Sequence, residues 1–298
     1  MRPTVALAAI LLTATAAVAQ QTPARSPATP PAKDKPAAAK AADKSADKAS
    51  AAPAPDALAA GLAALESKDF STALARFNAA FNAGAPDGAF YLGRMVELGI
   101  GVEASFDKAR VLYLAAADKG SAKAMNRLGL MHYRGEGVLQ DYAAAQELIC
   151  EAAGKGDADA AFNCAGLFAE GRGVDKDPAK ARAWYEKAAA ENNIGALNAL
   201  GFIWRDGLGV DRDPGKAADY FGRAAALGNP VALFELGAMY EAGLGLPPDL
   251  MKAHVHYNLA AARQHPGGTE ALARVTAGLS PEDVTKAQAE AKAWRAAR

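Results

Sequence analysis

Gly-x-Gly occurs at Gly99/Gly101, Gly135/Gly137, Gly171/Gly173, Gly207/Gly209 and Gly243/Gly245, with a step of 36 residues each time. A fixed period of this length marks an array in which each unit buries its apolar face only against its neighbours. Other columns keep the step. Leu92, Leu128, Cys164, Leu200 and Leu236 form one, and Gly93, Gly129, Ala165, Gly201 and Gly237 form the next. Ala109, Ala145, Ala181, Ala217 and Ala253 form a third, and the Ala pairs at 116-117, 152-153, 188-189, 224-225 and 260-261 a fourth. Five units run in phase without an insertion.

Each unit reads as two helices. Alanine, the best helix former, makes up roughly a quarter of the chain, and Val, Ile and Thr are sparse, so the fold class is all-α. The first helix of the first full unit is expected near Ala89–Leu98, with Leu92, Met95 and Val96 as its buried stripe. The last of these becomes His132, Phe168, Trp204 and Tyr240 in later units. Gly93 and its equivalents cost about 1 kcal/mol of helix propensity against Ala, which points to close approach of the partner helix. Gly99 suits a left-handed C-terminal cap. Val102, Val138, Val174, Val210 and Leu246 are placed to pin the loop to the core. Asp141, Asp177, Asp213 and Asp249 read as N-caps of the second helix, with Pro178 and Pro214 at its first position. Gly120, Gly156 and Gly228 end it. Upstream, Asp69, Phe70, Ala73, Ala80 and Gly84 fall in the same columns one period earlier and make a degenerate first unit, with a helix at Ala57–Glu66. Downstream, Ser280-Pro281-Glu282-Asp283 is a helix start, and Val284, Ala287 and Trp294 would cover the last unit. The array is thus assigned to residues 56–266 and C-terminal capping helices to 267–298.

The N-terminus has another composition. Met1-Arg2, an apolar stretch from Val5 to Val18 and Ala17-Val18-Ala19 fit an export signal over residues 1–19, cut before Gln20. The stretch is shorter than the ~20 residues that span a bilayer, so no membrane span is expected after cleavage. Residues 20–55 contain seven prolines and no Leu, Ile, Val, Met or aromatic residue, and are expected to form a disordered linker. The expected location is secreted, in the periplasm.

Catalytic signals are weak. Lys+Arg and Asp+Glu are 33 each, which argues against coating nucleic acid by charge. Four histidines without H-E-x-x-H or paired-Cys spacing give no metal site, and no cofactor is expected. Gly99-Ile100-Gly101-Val102-Glu103-Ala104 approximates a nucleotide loop but follows a helix and recurs as a repeat loop. Ser45-Ala46-Asp47-Lys48 has the S-x-x-K spacing of serine β-lactamases but lies in the linker, with no K-T-G downstream. No catalytic residue is assigned, and the chain is read as no enzyme.

The columns resemble the Sel-like repeat family, relatives of the tetratricopeptide repeats with a longer loop inside each repeat. The carrying residues are Leu200-Gly201-Phe202-Ile203-Trp204, Gly207-Leu208-Gly209-Val210, Asp213-Pro214, Lys216-Ala217 and Ala224-Ala225, with Leu236-Gly237-Ala238-Met239-Tyr240 repeating the pattern. The tail from Tyr257-Asn258-Leu259-Ala260-Ala261 to Leu279-Ser280-Pro281-Glu282 is similar to the ending of many bacterial members. The resemblance implies a right-handed α-solenoid of helix-turn-helix repeats that binds other proteins, here an exported adaptor or regulator in the cell envelope. Some exported relatives restrain sensor kinases that control exopolysaccharide synthesis. The alternatives are an envelope enzyme of β-lactamase or peptidoglycan-active type, and a structural spacer without a ligand.

In such arrays the first helix of each unit lines the concave side. Beside the stripe, that leaves Phe90, Arg94, Glu97 and Leu98 facing the groove, then Asn126, Leu130, Tyr133 and Arg134. The later sets are Phe162, Gly166, Ala169 and Glu170; Asn198, Phe202, Arg205 and Asp206; and Phe234, Ala238, Glu241 and Ala242. Either these residues bind a protein partner, or the Phe residues fill gaps between neighbouring first helices and the rest is a solvated face. Cys150 and Cys164 lie seven residues either side of a turn near Asp157, at equal height on antiparallel helices. Cysteine-rich relatives bridge this same turn one helical turn closer in. A disulfide, or two free thiols with Cys164 filling the Leu column, both fit.

Overall fold

The computed structural model describes residues 54–297. The expected signal peptide, residues 1–19, and the expected linker up to residue 53 lie outside the described residues. Those described are all-helical, with fourteen helices and no strand, and helices adjacent in sequence pack as pairs. They fall into two compact units that divide between Ala104 and Ser105.

The described part of the first unit holds α1 (Ala54–Glu66), α2 (Phe70–Asn82) and α3 (Asp87–Leu98). Helix α1 starts two residues inside the stretch read as linker, because Pro55 fits a first turn whose N–H groups need no partner. Asp69 caps α2 by accepting from the Thr72 N–H at 3.1 Å. Phe77 is fully buried, and its ring takes the space a Cβ would need at Gly61, 2.6 Å away. Tyr91 of α3 stacks on that ring at 5.0 Å.

The second unit contains α4 (Phe106–Asp118), α5 (Ala122–Arg134), α6 (Tyr142–Gly154), α7 (Ala158–Glu170), α8 (Pro178–Ala190), α9 (Ile194–Asp206) and α10 (Pro214–Ala226). It continues with α11 (Pro230–Ala242), α12 (Leu250–Ala262), α13 (Gly268–Thr276) and α14 (Pro281–Ala293). All four Asp residues assigned as caps accept from backbone N–H groups of their helices. The first helices are capped as well, by Ser121, Asp157, Asn193 and Asn229, a column that the sequence reading passed over.

The two glycines of each Gly-x-Gly do different work. The first is the left-handed C-cap, with φ between 67° and 75° from Gly99 to Gly243. At Gly173 and Gly245 the second lets the loop reach the second helix of the preceding repeat. A Cβ on Gly173 would lie 2.0 Å from the Tyr142 carbonyl oxygen, and one on Gly245 2.2 Å from that of Pro214. The small column inside the first helix has a similar cause. Ile149, Phe221 and Tyr257 of the second helices occupy the Cβ positions of Gly129, Gly201 and Gly237, at 2.5, 2.5 and 2.9 Å. Burial at these contacts is complete or nearly so.

The column of Val96, His132, Phe168, Trp204 and Tyr240 was expected in the buried stripe but is only half-buried. Fully covered positions lie about two turns earlier, at Ala124, Ala160, Ala196 and Ala232 and at Leu197 and Leu233. The aromatic rings instead form the rim and carry a cation. Lys180, Lys216 and Lys252 place Nζ 5.5, 3.9 and 5.2 Å from the centres of Phe168, Trp204 and Tyr240. Each lysine also pairs with the Asp cap of its own helix, at 3.4 to 3.7 Å. The repeat with His132 has Ala144 at the lysine position.

Cys150 on α6 and Cys164 on α7 are joined by a disulfide. At the C-terminus Ser280 caps α14, Ala287 and Ala291 are buried, and Trp294 packs against the core with Arg263 over its ring at 4.6 Å.

Candidate functional site

Successive first helices of the second unit lie side by side. Asn163 Nδ2 donates to Asn126 Oδ1 at 3.0 Å, and the Tyr133 hydroxyl to Glu170 Oε2 at 3.3 Å, joining α5 to α7. Asn193, the cap of α9, donates to Asp159 of α7 at 2.8 Å. Arg205 Nη1 of α9 donates to Glu235 Oε2 of α11 at 2.6 Å. The bonds between first helices define one shared face, and the positions expected on it divide into three groups.

One group belongs to the packing. Phe162 lies against Gly195, whose Cβ would be 2.9 Å from the ring, and against Tyr185 at 5.7 Å. Phe234 repeats this two periods on, against Gly267 at 3.1 Å, Tyr257 at 5.3 Å and His265 at 4.2 Å. Phe162 and Phe234 therefore have a steric cause, a glycine in the first turn of the following helix or at its cap.

A second group is buried, against the expectation of an open groove. Asn126 is 7% exposed. On α3, in the first unit, Arg94 and Glu97 are 6% and 7% exposed and pair at 2.9 Å. One helical turn apart, their opposite charges compensate each other as they leave water. Phe90, half-buried on the same helix, meets Tyr91 edge-on at 5.1 Å. Asn198 is half-buried, donates to Asn229 at 3.1 Å, and its Oδ1 is buried without a partner.

The third group remains at the surface: Leu130, Gly166, Phe202 and Ala238 in one column, with Tyr133 and Arg205 beside them, all partly exposed. A Cβ on Gly166 would meet nothing within 4 Å. Arg205 lies over Phe202 at 4.8 Å and is held between Asp206 at 2.7 Å and Glu235 at 2.6 Å. The hydrogen bonds it donates to Asp206, and the charge of Glu235, hold its guanidinium above its ordinary range, and the same bonds pull the Asp206 carboxyl down. Burial, with the Glu170 charge second, pushes the Tyr133 phenol up. Glu241 is tied by Arg274 through two bonds of 2.8 Å and by the Tyr257 hydroxyl at 2.6 Å, and the Arg274 bonds lower its carboxyl.

Tyr142, Arg172, Glu235 and Arg274 were not among the residues singled out from sequence. Arg172 carried a readable signal, since the middle of Gly-x-Gly is Ile100, Glu136, Leu208 and Leu244 elsewhere. Among the described residues no group of three or more His, Cys, Asp or Glu could hold a metal ion, and no helix is long and apolar enough to cross a membrane. Aromatic faces, amides and guanidinium groups on a row of helices are suited to holding a polypeptide.

A family model described as Sel1 repeat matches residues 86–121, 122–157, 158–193, 194–229 and 230–265. Among solved structures, a protective antigen present in uropathogenic Escherichia coli strains, displaying an SLR fold, is 27% identical with a TM-score of 0.67. The match covers 80% of this chain and 53% of that one, so this chain spans about half the antigen's length. A Sel1 repeat protein from Oxalobacter formigenes is also 27% identical, with a TM-score of 0.63 over 79% of this chain and 98% of that one. No curated protein is similar enough to count as a match. Five matched repeats and the shared helical architecture place the chain in the Sel1 repeat family, whose solenoids are in general non-catalytic scaffolds for protein interaction.

Proposed function

We propose that this chain is an exported scaffold, an adaptor or regulator in the cell envelope, that holds a protein partner on the face lined by its first helices. One observation carries the reading. Leu130, Gly166, Phe202 and Ala238 share a column, are partly exposed and differ in chemistry. The adjoining buried column of Leu128, Cys164, Leu200 and Leu236 stays apolar. Packing constrains the second column, while contact with something outside the chain accounts for the variety of the first. Tyr133, Phe202 and Arg205 are of the residue types enriched at binding hot spots. Export rests on the pattern of residues 1–19, and a Cys150–Cys164 bridge suits the periplasm, where disulfides persist.

The test is site-specific photocrosslinking in the native envelope, with the reactive residue at Phe202 or at exposed Asp219 on α10, followed by mass spectrometry. A protein adduct from position 202 and none from 219 is expected. Equal adducts, or none, would refute the assignment of the face. Tyr133→Ala, Phe202→Ala and Arg205→Ala should each weaken binding of the crosslinked partner by about 1–3 kcal/mol. Leu200→Ala, in the core, should instead cost about 2–5 kcal/mol of stability.

A further inference from the structure

We propose that Tyr133, Tyr142 and Glu170 form a binding site for a cationic side chain, guanidinium or ammonium, and that Arg172 is its displaceable internal occupant. The rings of Tyr133 on α5 and Tyr142 at the start of α6 stand 5.4 Å apart at 63°, two walls of a corner. The guanidinium carbon of Arg172 sits in that corner, 5.4 Å from one ring centre and 5.5 Å from the other, within the ~6 Å reach of a cation–π contact. Glu170 closes the third side. Its carboxylate is 2.7 Å from Arg172 Nε and also accepts the Tyr133 hydroxyl. Arg172 Nη1 donates to the Tyr142 hydroxyl at 3.2 Å. Two π faces, a carboxylate and a hydroxyl acceptor meet every need of a planar cation, and an anion would have to face Glu170.

The walls do not depend on Arg172. The rings brace each other, Gln140 Nε2 donates to the Tyr133 carbonyl at 2.9 Å, and the Asp141 N–H donates to the His132 carbonyl at 2.9 Å, fixing the link between α5 and α6. The backbone beneath Arg172 is fixed too, because Gly173 abuts the Tyr142 carbonyl. The Arg172 side chain, 45% exposed, is free to swing. The loop does not demand arginine, since other repeats place Ile, Glu or Leu there. Exposed ion pairs and cation–π contacts are weak, so a second cation arriving in the context of a larger interface displaces it readily. That the natural competitor is an Arg or Lys of a protein partner rests on the scaffold reading above. The cation chemistry of the corner does not.

The full chain, labelled at tyrosine, is titrated with tetramethylammonium chloride and with Nα-acetyl-arginine amide at constant ionic strength, and the ring signals are followed by NMR. Arg172→Ala should show saturable shifts at Tyr133 and Tyr142 with at least a tenfold tighter midpoint than wild type, because the internal competitor is gone. Adding Glu170→Gln, an exposed change, or Tyr142→Ala should abolish the gain, with far-UV circular dichroism confirming the fold. No tighter midpoint in Arg172→Ala, or a gain that survives both additional changes, would overturn the site. Loss of the Phe202 adduct with a cation response retained would sink the scaffold reading alone. An intact adduct without the response would sink this site alone.

Discussion

Two glycines in the same column separate backbone conformation from close approach. Gly137 and Gly173 have φ of 69° and 74°, so an alanine at either adopts the same disfavoured left-handed conformation. That costs about 1–2 kcal/mol, offset by about 0.4–1 kcal/mol because alanine restricts the unfolded chain. A Cβ on Gly137 meets nothing nearer than 3.9 Å. Gly137→Ala should therefore destabilise by about 1 kcal/mol. On Gly173 the same atom lies 2.0 Å from the Tyr142 carbonyl oxygen and 2.5 Å from its carbon. An ordinary C···O contact is about 3.3 Å, so the loop and the start of α6 must part by more than about 1 Å. Overpacking of this kind costs about 1–3 kcal/mol. The movement also disturbs the Asp141 cap, whose bonds to Ala143 and Ala144 N–H are 2.9 and 3.0 Å, for about 1 kcal/mol more. Gly173→Ala should then cost about 3–5 kcal/mol in all. Urea denaturation of both variants, followed by circular dichroism, measures the difference. Equal destabilisation would show that only φ matters in this column and that the close approach carries no energy.

Three further outcomes are expected. His256 stacks on Tyr240 at 5.6 Å, and burial, with Lys252 nearby, pushes its imidazole down to about 4 from an ordinary 6.5. Between those pH values the unfolded chain binds a proton that the folded chain refuses, so stability should fall as pH drops from about 6.5 to about 4, by about 3 kcal/mol. Burial lowers His254 in the same direction, and His256→Gln should flatten the slope in a urea-midpoint series against pH. Reducing the Cys150–Cys164 bridge, which closes a segment with a sequence separation of 14, should cost about 3 kcal/mol. Thiol labelling of the unreduced, denatured protein should find no free cysteine, and two labelled thiols would refute the pairing. Gln264 is held at φ 62°, so Gln264→Gly should raise stability by about 1 kcal/mol, while Asn192→Gly at φ 58° should be near neutral because Asn tolerates that conformation.

How far the sequence reveals this structure depends on the reach of each interaction. Caps such as Asp177 and Asp213 act within three residues, so Asp-Pro before an Ala-rich stretch located two helices directly. The Gly99 and Gly207 stops were legible for the same reason. Asn192 and Gln264 share the left-handed column of Gly120, Gly156 and Gly228, but a column read by residue type hides them. The face was harder. Whether Phe162 projects from α7 or packs away depends on Gly195, 33 residues on, and the period alone does not say that those two positions touch. Arg205 reads as a free cation in sequence, and Glu235 claims it from the neighbouring helix. Long side chains choose partners across helices, beyond what spacing along one helix can report.

Because Gly173 and Gly245 bring main chain against main chain, the step from one repeat to the next within the second unit is set there by atoms that no substitution elsewhere can remove. Side chains on the exposed column can drift in size, charge and polarity without tilting the helices that carry them. Geometry and specificity are thereby inherited separately. On the scaffold reading proposed above, a lineage exchanges one partner for another by point changes at positions such as 130, 166, 202 and 238, while the frame that presents them is passed on intact.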